Sequence, residues 1–164
     1  MELNPYAKYL DGRDPIPVLT STSERIHALT GRLSTSEANT PPAPGKWSIS
    51  NIVTHLADTE MVFAFRLRQT LAAPGESPAI IQPFDQEAWA QRYAVYNLEP
   101  AFALFHATRN WNLLFLATVS QNDRDRPTTH PERGDMKLWT IVETMAGHDI
   151  NHLRQLENLA ARHA

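Results

Sequence analysis

The 164 residues of the chain match the roughly 100–200 residues of one domain, and 42% hydrophobic with 20% charged residues supply a full core, which excludes a disordered, solvating sequence. Zero cysteines exclude disulfides, thiolate metal ligands and a cysteine nucleophile, so any thiol chemistry must use a thiol brought in by a co-substrate. A formal net charge of -3 without a dense basic stripe argues against a nucleic-acid partner; no apolar run approaches the ~20 residues of a membrane span, and no secretory pattern follows Met1, so the expected address is cytoplasmic.

Proline lacks an N–H donor and clashes with the preceding helical turn, so the twelve prolines mark where helices are permitted. Four long windows are free of them: 18–40, 45–73, 101–126 and 132–164. Asp14 before Pro15 starts the first helix, and Ser48 before Ile49 the second. Ile52, Leu56, Phe63 and Leu67 recur at helical spacing along helix 2. A long connection through the Pro74–Pro83 segment follows, with a short extra helix over 85–93 carrying Trp89 and Tyr93. Pro100 falls in the first turn of helix 3, which continues through Phe102, Phe105, Leu113 and Leu116. The last helix carries Ile141, Met145, Leu156 and Leu159.

No strand-like alternation is visible, so the expected fold is an all-α four-helix bundle in one domain over 1–164, with a long connection between helices 2 and 3. Helix 3 bears a second apolar strip, Trp111, Leu114 and Phe115, beyond what one core face needs. It is expected to cover the connector or to form a homodimer interface.

His148 and His152 stand four apart, which places two imidazoles on one helix face. The row Ile141, Met145, His148, His152, Gln155, Leu159 advances in steps of four and three, so both histidines fall among core-facing positions. Buried imidazoles without partners cost on the order of 1–3 kcal/mol each, so this pattern calls for a hydrogen-bond network or a metal. His55 lies beside the apolar face of helix 2, where it can reach a bundle-core site or serve as a structural residue.

Three separated stretches carry a family resemblance: Gly45-Lys-Trp-Ser-Ile-Ser50 leading to His55-Leu-Ala-Asp-Thr-Glu60, then His130 and Gly134, then His148-Asp-Ile-Asn-His152-Leu-Arg-Gln155. Together they resemble the DinB-like superfamily of metal-binding four-helix bundles. The resemblance implies a three-histidine site with His55, His148 and His152 as ligands. It also implies metal-dependent chemistry, since relatives include S-transferases that use low-molecular-weight thiols of the bacillithiol or mycothiol type, and a metal-dependent isomerase.

Three neutral imidazoles leave a divalent ion with an open position, and they suit zinc or nickel, with iron, cobalt and manganese also admitted. Glu60 lies within the apolar stripe of helix 2 and is the proton-transfer candidate; its structural alternative is a carboxylate paired with a core arginine. Asp58 stands three residues from His55 and could receive its free N–H, or face solvent. Arg109 could bind a carboxylate of a thiol co-substrate or neutralise Glu60, and Gln155 could hydrogen-bond a ligand or substrate or belong to a core polar network. His106 is a possible fourth ligand. His130 sits between Pro127 and Pro131 and reads as a solvent-facing loop residue, while Trp47 reads as an anchor at the entry to helix 2. The expected function is thiol-dependent transfer or isomerisation of a small electrophile. The alternatives are a hydrolase that draws hydroxide from the metal, and a non-catalytic metal- or small-molecule-binding module. A peptidase of the H-E-x-x-H type is disfavoured because Asp149 is one methylene shorter than the required glutamate.

Overall fold

The computed structural model describes residues 3–75 and 77–163. In chain order these form α1 (Ala7–Leu10), α2 (Pro15–Thr30), α3 (Thr35–Asn39), α4 (Ile49–Ala72), β1 (Ala79–Ile80), α5 (Gln86–Ala90), a 3-10 turn (Tyr93–Val95), α6 (Leu98–Leu116), α7 (Gln121–Arg124), β2 (Pro127–His130), β3 (Gly134–Lys137) and α8 (Leu138–Ala160). The four long helices α2, α4, α6 and α8 make the bundle. Their starts follow the capping chemistry: Asp14 accepts the Ile16 N–H, and Ser48 forms a reciprocal box with Asn51.

The helices associate as two parallel pairs. Glu60 and Arg68 of α4 meet Arg109 and Asn112 of α6 in the same order. Thr22 and Arg25 of α2 likewise meet Asp149 and Glu157 of α8 in the same order. The pairs then pack antiparallel to one another, with His55 near the start of α4 against His148 and His152 toward the end of α8. Parallel neighbours cannot be joined by a tight loop, and this is why the chain spends residues 73–97 crossing from α4 to α6.

Several expectations need correction. The 18–40 window holds two helices rather than one, because α2 stops at Gly31 and the Ser34–Glu37 capping box starts α3 anew. The 101–126 window breaks after Leu116, and the 132–164 window opens with a strand before α8 begins. A three-stranded sheet is present where no strand was expected. In it β1 pairs parallel with β2, and β2 pairs antiparallel with β3. Strands of two to four residues are too short to display a period-2 pattern. The sheet matters for the site, because it ties the long crossing connection to the hairpin preceding α8; the Thr128 hydroxyl also donates to the Ala79 carbonyl at 2.8 Å.

Two apolar clusters fill the bundle. One gathers Leu19, Phe63, Leu67, Leu116, Ile141 and Met145, the other Ile26, Ile52, Leu56, Phe105, Leu153 and Leu156. Between them on every long helix lies a buried polar layer, made of Thr22, His55, Glu60, Arg109, Asn112, His148, Asp149 and His152. On the outer side of α6, Trp111 and Leu114 are 66% and 67% exposed, so the connector does not cover that strip. Phe115 lies under the Arg68 guanidinium, 4.5 Å from ring centroid to carbon. No helix among the described residues is long and apolar enough to cross a membrane.

Candidate metal centre

Helical spacing sets the site up. His148 and His152 stand one turn apart on α8, and the antiparallel α4 brings His55 between them, with ring centroids 4.4 to 5.0 Å apart. All three side chains are buried. His55 Nε2 and His148 Nε2 face each other at 2.9 Å, and one ring nitrogen from each of the three histidines lies within 4.8 Å of the others. Two bonds of ~2.1 Å to a single ion allow nitrogens at most ~4.2 Å apart. The close pair is inside that limit, and 4.8 Å bounds the widest separation in the set.

The walls are aromatic. Trp47 packs on His55 at 4.9 Å and Phe84 stacks on it at 6.4 Å, while Tyr6 and Phe63 meet the His148 ring edge-on at 5.1 and 6.0 Å. Burial in this setting pushes His55 down to about 3, with His152 adding to the effect. It pushes His152 down to about 4 against the Gln155 hydrogen bond, and it holds His148 well below the usual histidine range. All three rings are therefore neutral at pH 7, the form that metal ligation requires. The Gln155 side-chain oxygen accepts from His152 Nδ1 at 2.9 Å, which fixes the tautomer and leaves Nε2 bare. His55 Nδ1 is buried with no partner. A buried, acceptor-rich cluster of three neutral imidazoles fits a divalent cation that takes nitrogen ligands.

Trp47 thus forms a wall of the cluster as well as anchoring the entry to α4. Gly147 explains how Tyr6 reaches His148: a Cβ at residue 147 would stand 2.5 Å from the Tyr6 carbonyl oxygen, so only glycine lets α1 seat this closely on α8.

Glu60 and Arg109 are placed otherwise than expected. Arg109 is buried among all four long helices and uses all five of its N–H donors. Its Nε and Nη2 bind Glu60 at 3.0 and 2.7 Å, its Nη1 and Nη2 bind Asp149 at 2.6 and 3.2 Å, and its Nη1 also binds the Leu19 carbonyl at 3.0 Å. Asn112 adds a 2.7 Å bond to Glu60, and Thr22 a 2.7 Å bond to Asp149. Burial alone would lower the Arg109 pKa, but the Asp149 and Glu60 carboxylates outweigh it and raise it. Burial raises Asp149, against the pull of Arg109. Glu60 is consequently the carboxylate of a core ion pair rather than a free proton carrier, and Arg109 has no donor left for a co-substrate.

Asp58 is half-buried and faces Tyr93; burial raises its pKa, and it makes no hydrogen bond to His55 Nδ1. His106 is exposed on α6, bonded to Asn110 at 2.9 Å, and stands outside the three-histidine group. His130, expected at the surface, is buried: as the last residue of β2 it lines a cavity of about 100 Å³ whose wall includes His148. Arg66, which the sequence showed only as the end of an apolar run, lines that same cavity. The sole signal for it was its place on the buried side of α4, one turn beyond Val62.

The family model of the DinB superfamily matches residues 19–156. The chain belongs to the DinB superfamily. A protein of Oceanobacillus iheyensis, named as a proposed metal-dependent hydrolase, is 31% identical over 132 residues, covering 79% of this chain and 74% of the relative. A Geobacillus kaustophilus protein with the same kind of name is 27% identical over 134 residues, 79% of this chain and 73% of its own. The solved structure of YfiT from Bacillus subtilis, described as a proposed metal-dependent hydrolase with an unusual four-helix bundle topology, superposes with a TM-score of 0.80 at 23% identity. That match covers 91% of this chain and 85% of YfiT, and the fold of this DinB-superfamily member is therefore that four-helix bundle.

Proposed function

We propose that His55, His148 and His152 hold one divalent cation, and that the protein uses it to activate a low-molecular-weight thiol for transfer to, or isomerisation of, a small electrophile. The observation that carries this reading is the convergence of three buried, neutral imidazoles from two antiparallel helices, with ring nitrogens within 4.8 Å. His55, His148 and His152 would hold the cation, which would supply Lewis acidity able to ionise a thiol or a water near neutrality.

The chain's own groups prepare that position. Gln155 holds the His152 ring and its tautomer, while Tyr6, Trp47, Phe63 and Phe84 exclude bulk water and keep the rings unprotonated. Trp47 and Gln155 also border a groove of about 610 Å³ shared with Lys46, Glu87 and Arg162, which is room for a small molecule. With no cysteine in the chain, the thiol enters from solution. Glu60 is tied to Arg109 and Asn112, so this α4 carboxylate is not free to act as a base for either a thiol or a water.

Hydrolysis is the second reading, favoured by the names that the relatives carry. One experiment separates the two: untagged protein is assayed for conjugation of a low-molecular-weight thiol to small electrophiles, and in parallel for ester and amide hydrolysis, each with and without chelator. Chelator-sensitive conjugation supports the thiol reading. Chelator-sensitive hydrolysis without any thiol requirement replaces it, and affinity without turnover leaves a binding module. The outer strip at Trp111 and Leu114 supports a homodimer, which sedimentation tests, and the chain's partners are small molecules.

A further inference from the structure

The 100 Å³ cavity beside His148 has a composition that the metal site does not explain. Arg66 and Arg133 both line it, with His130, Tyr6 and Glu132. Arg66 is only 9% exposed, yet its single hydrogen bond runs from Nη2 to the Gln82 carbonyl at 2.6 Å, and its buried Nε has no partner. Neither Arg66 nor Arg133 forms an ion pair among the described residues, Glu132 included. Two guanidiniums therefore line one small space, and the carboxylate in its wall, Glu132, pairs with neither. Their mutual repulsion is felt: burial first and Arg133 second push Arg66 down to about 10, which still leaves it charged at neutral pH. His130 accepts the Glu132 backbone N–H at Nδ1 at 3.2 Å, so its neutral ring carries the proton on Nε2 and adds a donor. A buried, uncompensated guanidinium is costly unless an anion joins it.

We propose that this cavity is an oxyanion pocket, in which Arg66 and Arg133 bind a carboxylate of the small-molecule reactant and hold that reactant beside His148. A cavity of about 100 Å³ has room for a carboxylate group. Planar guanidiniums suit the two coplanar oxygens of a carboxylate. The assignment deepens the proposed function and rests on it for the reaction; the anion binding stands on the arginines alone.

The probes are acetate, propionate and inorganic phosphate. Each is titrated into the full-length protein, metal-loaded and chelator-treated, by calorimetry and by ¹⁵N spectra of the arginine Nε–H groups. Acetate is expected to shift the Arg66 and Arg133 resonances in both forms. Arg133→Gln, on the hairpin, is expected to weaken acetate about tenfold, while Arg133→Lys keeps most of the affinity and neither variant lowers the melting temperature. Absence of acetate binding, or equal binding by Arg133→Gln, overturns the proposal even if the metal is retained. Tighter binding of phosphate than of acetate overturns the carboxylate assignment. Acetate binding in a protein that retains no metal upholds the pocket and removes the metal reading.

Discussion

Arg109→Met strands two carboxylates in the bundle core. The guanidinium makes five contacts of 2.6 to 3.2 Å to Glu60, Asp149 and the Leu19 carbonyl, and methionine replaces its bulk but none of its charge. Removing one partner of a buried ionic network costs about 3–5 kcal/mol, a large share of the roughly 5–15 kcal/mol by which domains are stable. With a urea slope of ~2 kcal/mol/M, the unfolding midpoint should fall by about 1.5–2.5 M at pH 7. The deficit is also pH-dependent. Without Arg109, burial raises Asp149 above its unfolded value near ~4 with no guanidinium to oppose it, so its penalty is full above the raised value and vanishes below the unfolded one. Relative to wild type at each pH, the loss should therefore shrink as the solution is taken from pH 7 toward pH 4, measured by circular dichroism during urea titration. A loss under about 1 kcal/mol at pH 7, or one that is constant with pH, would refute the claim that charge compensation rather than packing dominates this layer.

Acid should destabilise the metal-free protein. With folded pKa values of about 3 for His55 and about 4 for His152 against ~6.5 unfolded, the unfolded chain binds more protons, so stability is full above pH 6.5. It then falls by up to about 1.4 kcal/mol per pH unit per histidine as pH drops from 6.5 to 4; urea midpoints at pH 7 and pH 5 check this. Gly147→Ala gains up to about 1 kcal/mol of helix propensity, yet it should lower the melting temperature, since the new Cβ would sit 2.5 Å from the Tyr6 carbonyl oxygen. Gln155→Ala removes the bond that orients His152 and should weaken metal binding about 10–100-fold, by competition with a chromogenic chelator, while leaving the fold intact.

The helices and the histidine cluster were legible because both leave periodic traces. Prolines bounded the long helices, Asp14 and Ser48 marked two of their starts, and the four-residue step from His148 to His152 put both rings on one face. The sheet was illegible because β1 is two residues long and its partner β2 lies 47 residues further along the chain, a pairing that no local pattern encodes. His130 misled for a similar reason: it faces a cavity walled by α4, α8 and the crossing connection at Phe84 and Gln86, distant segments that the prolines around it do not announce. Arg109 was visible on the apolar side of α6, but that it would consume Glu60 depended on α4 and α6 running parallel. Helix spacing by itself is silent about that direction.

Equilibrium dialysis of the untagged protein against zinc and against nickel at pH 7.5, with bound metal quantified by mass spectrometry, tests the centre most directly. One ion per chain is predicted for the wild type, lost in His55→Ala, His148→Ala and His152→Ala and released only as pH falls toward the depressed values of about 4 and about 3 at His152 and His55. A wild type that binds no ion, or a His55→Ala/His148→Ala double variant that keeps one, would contradict the account.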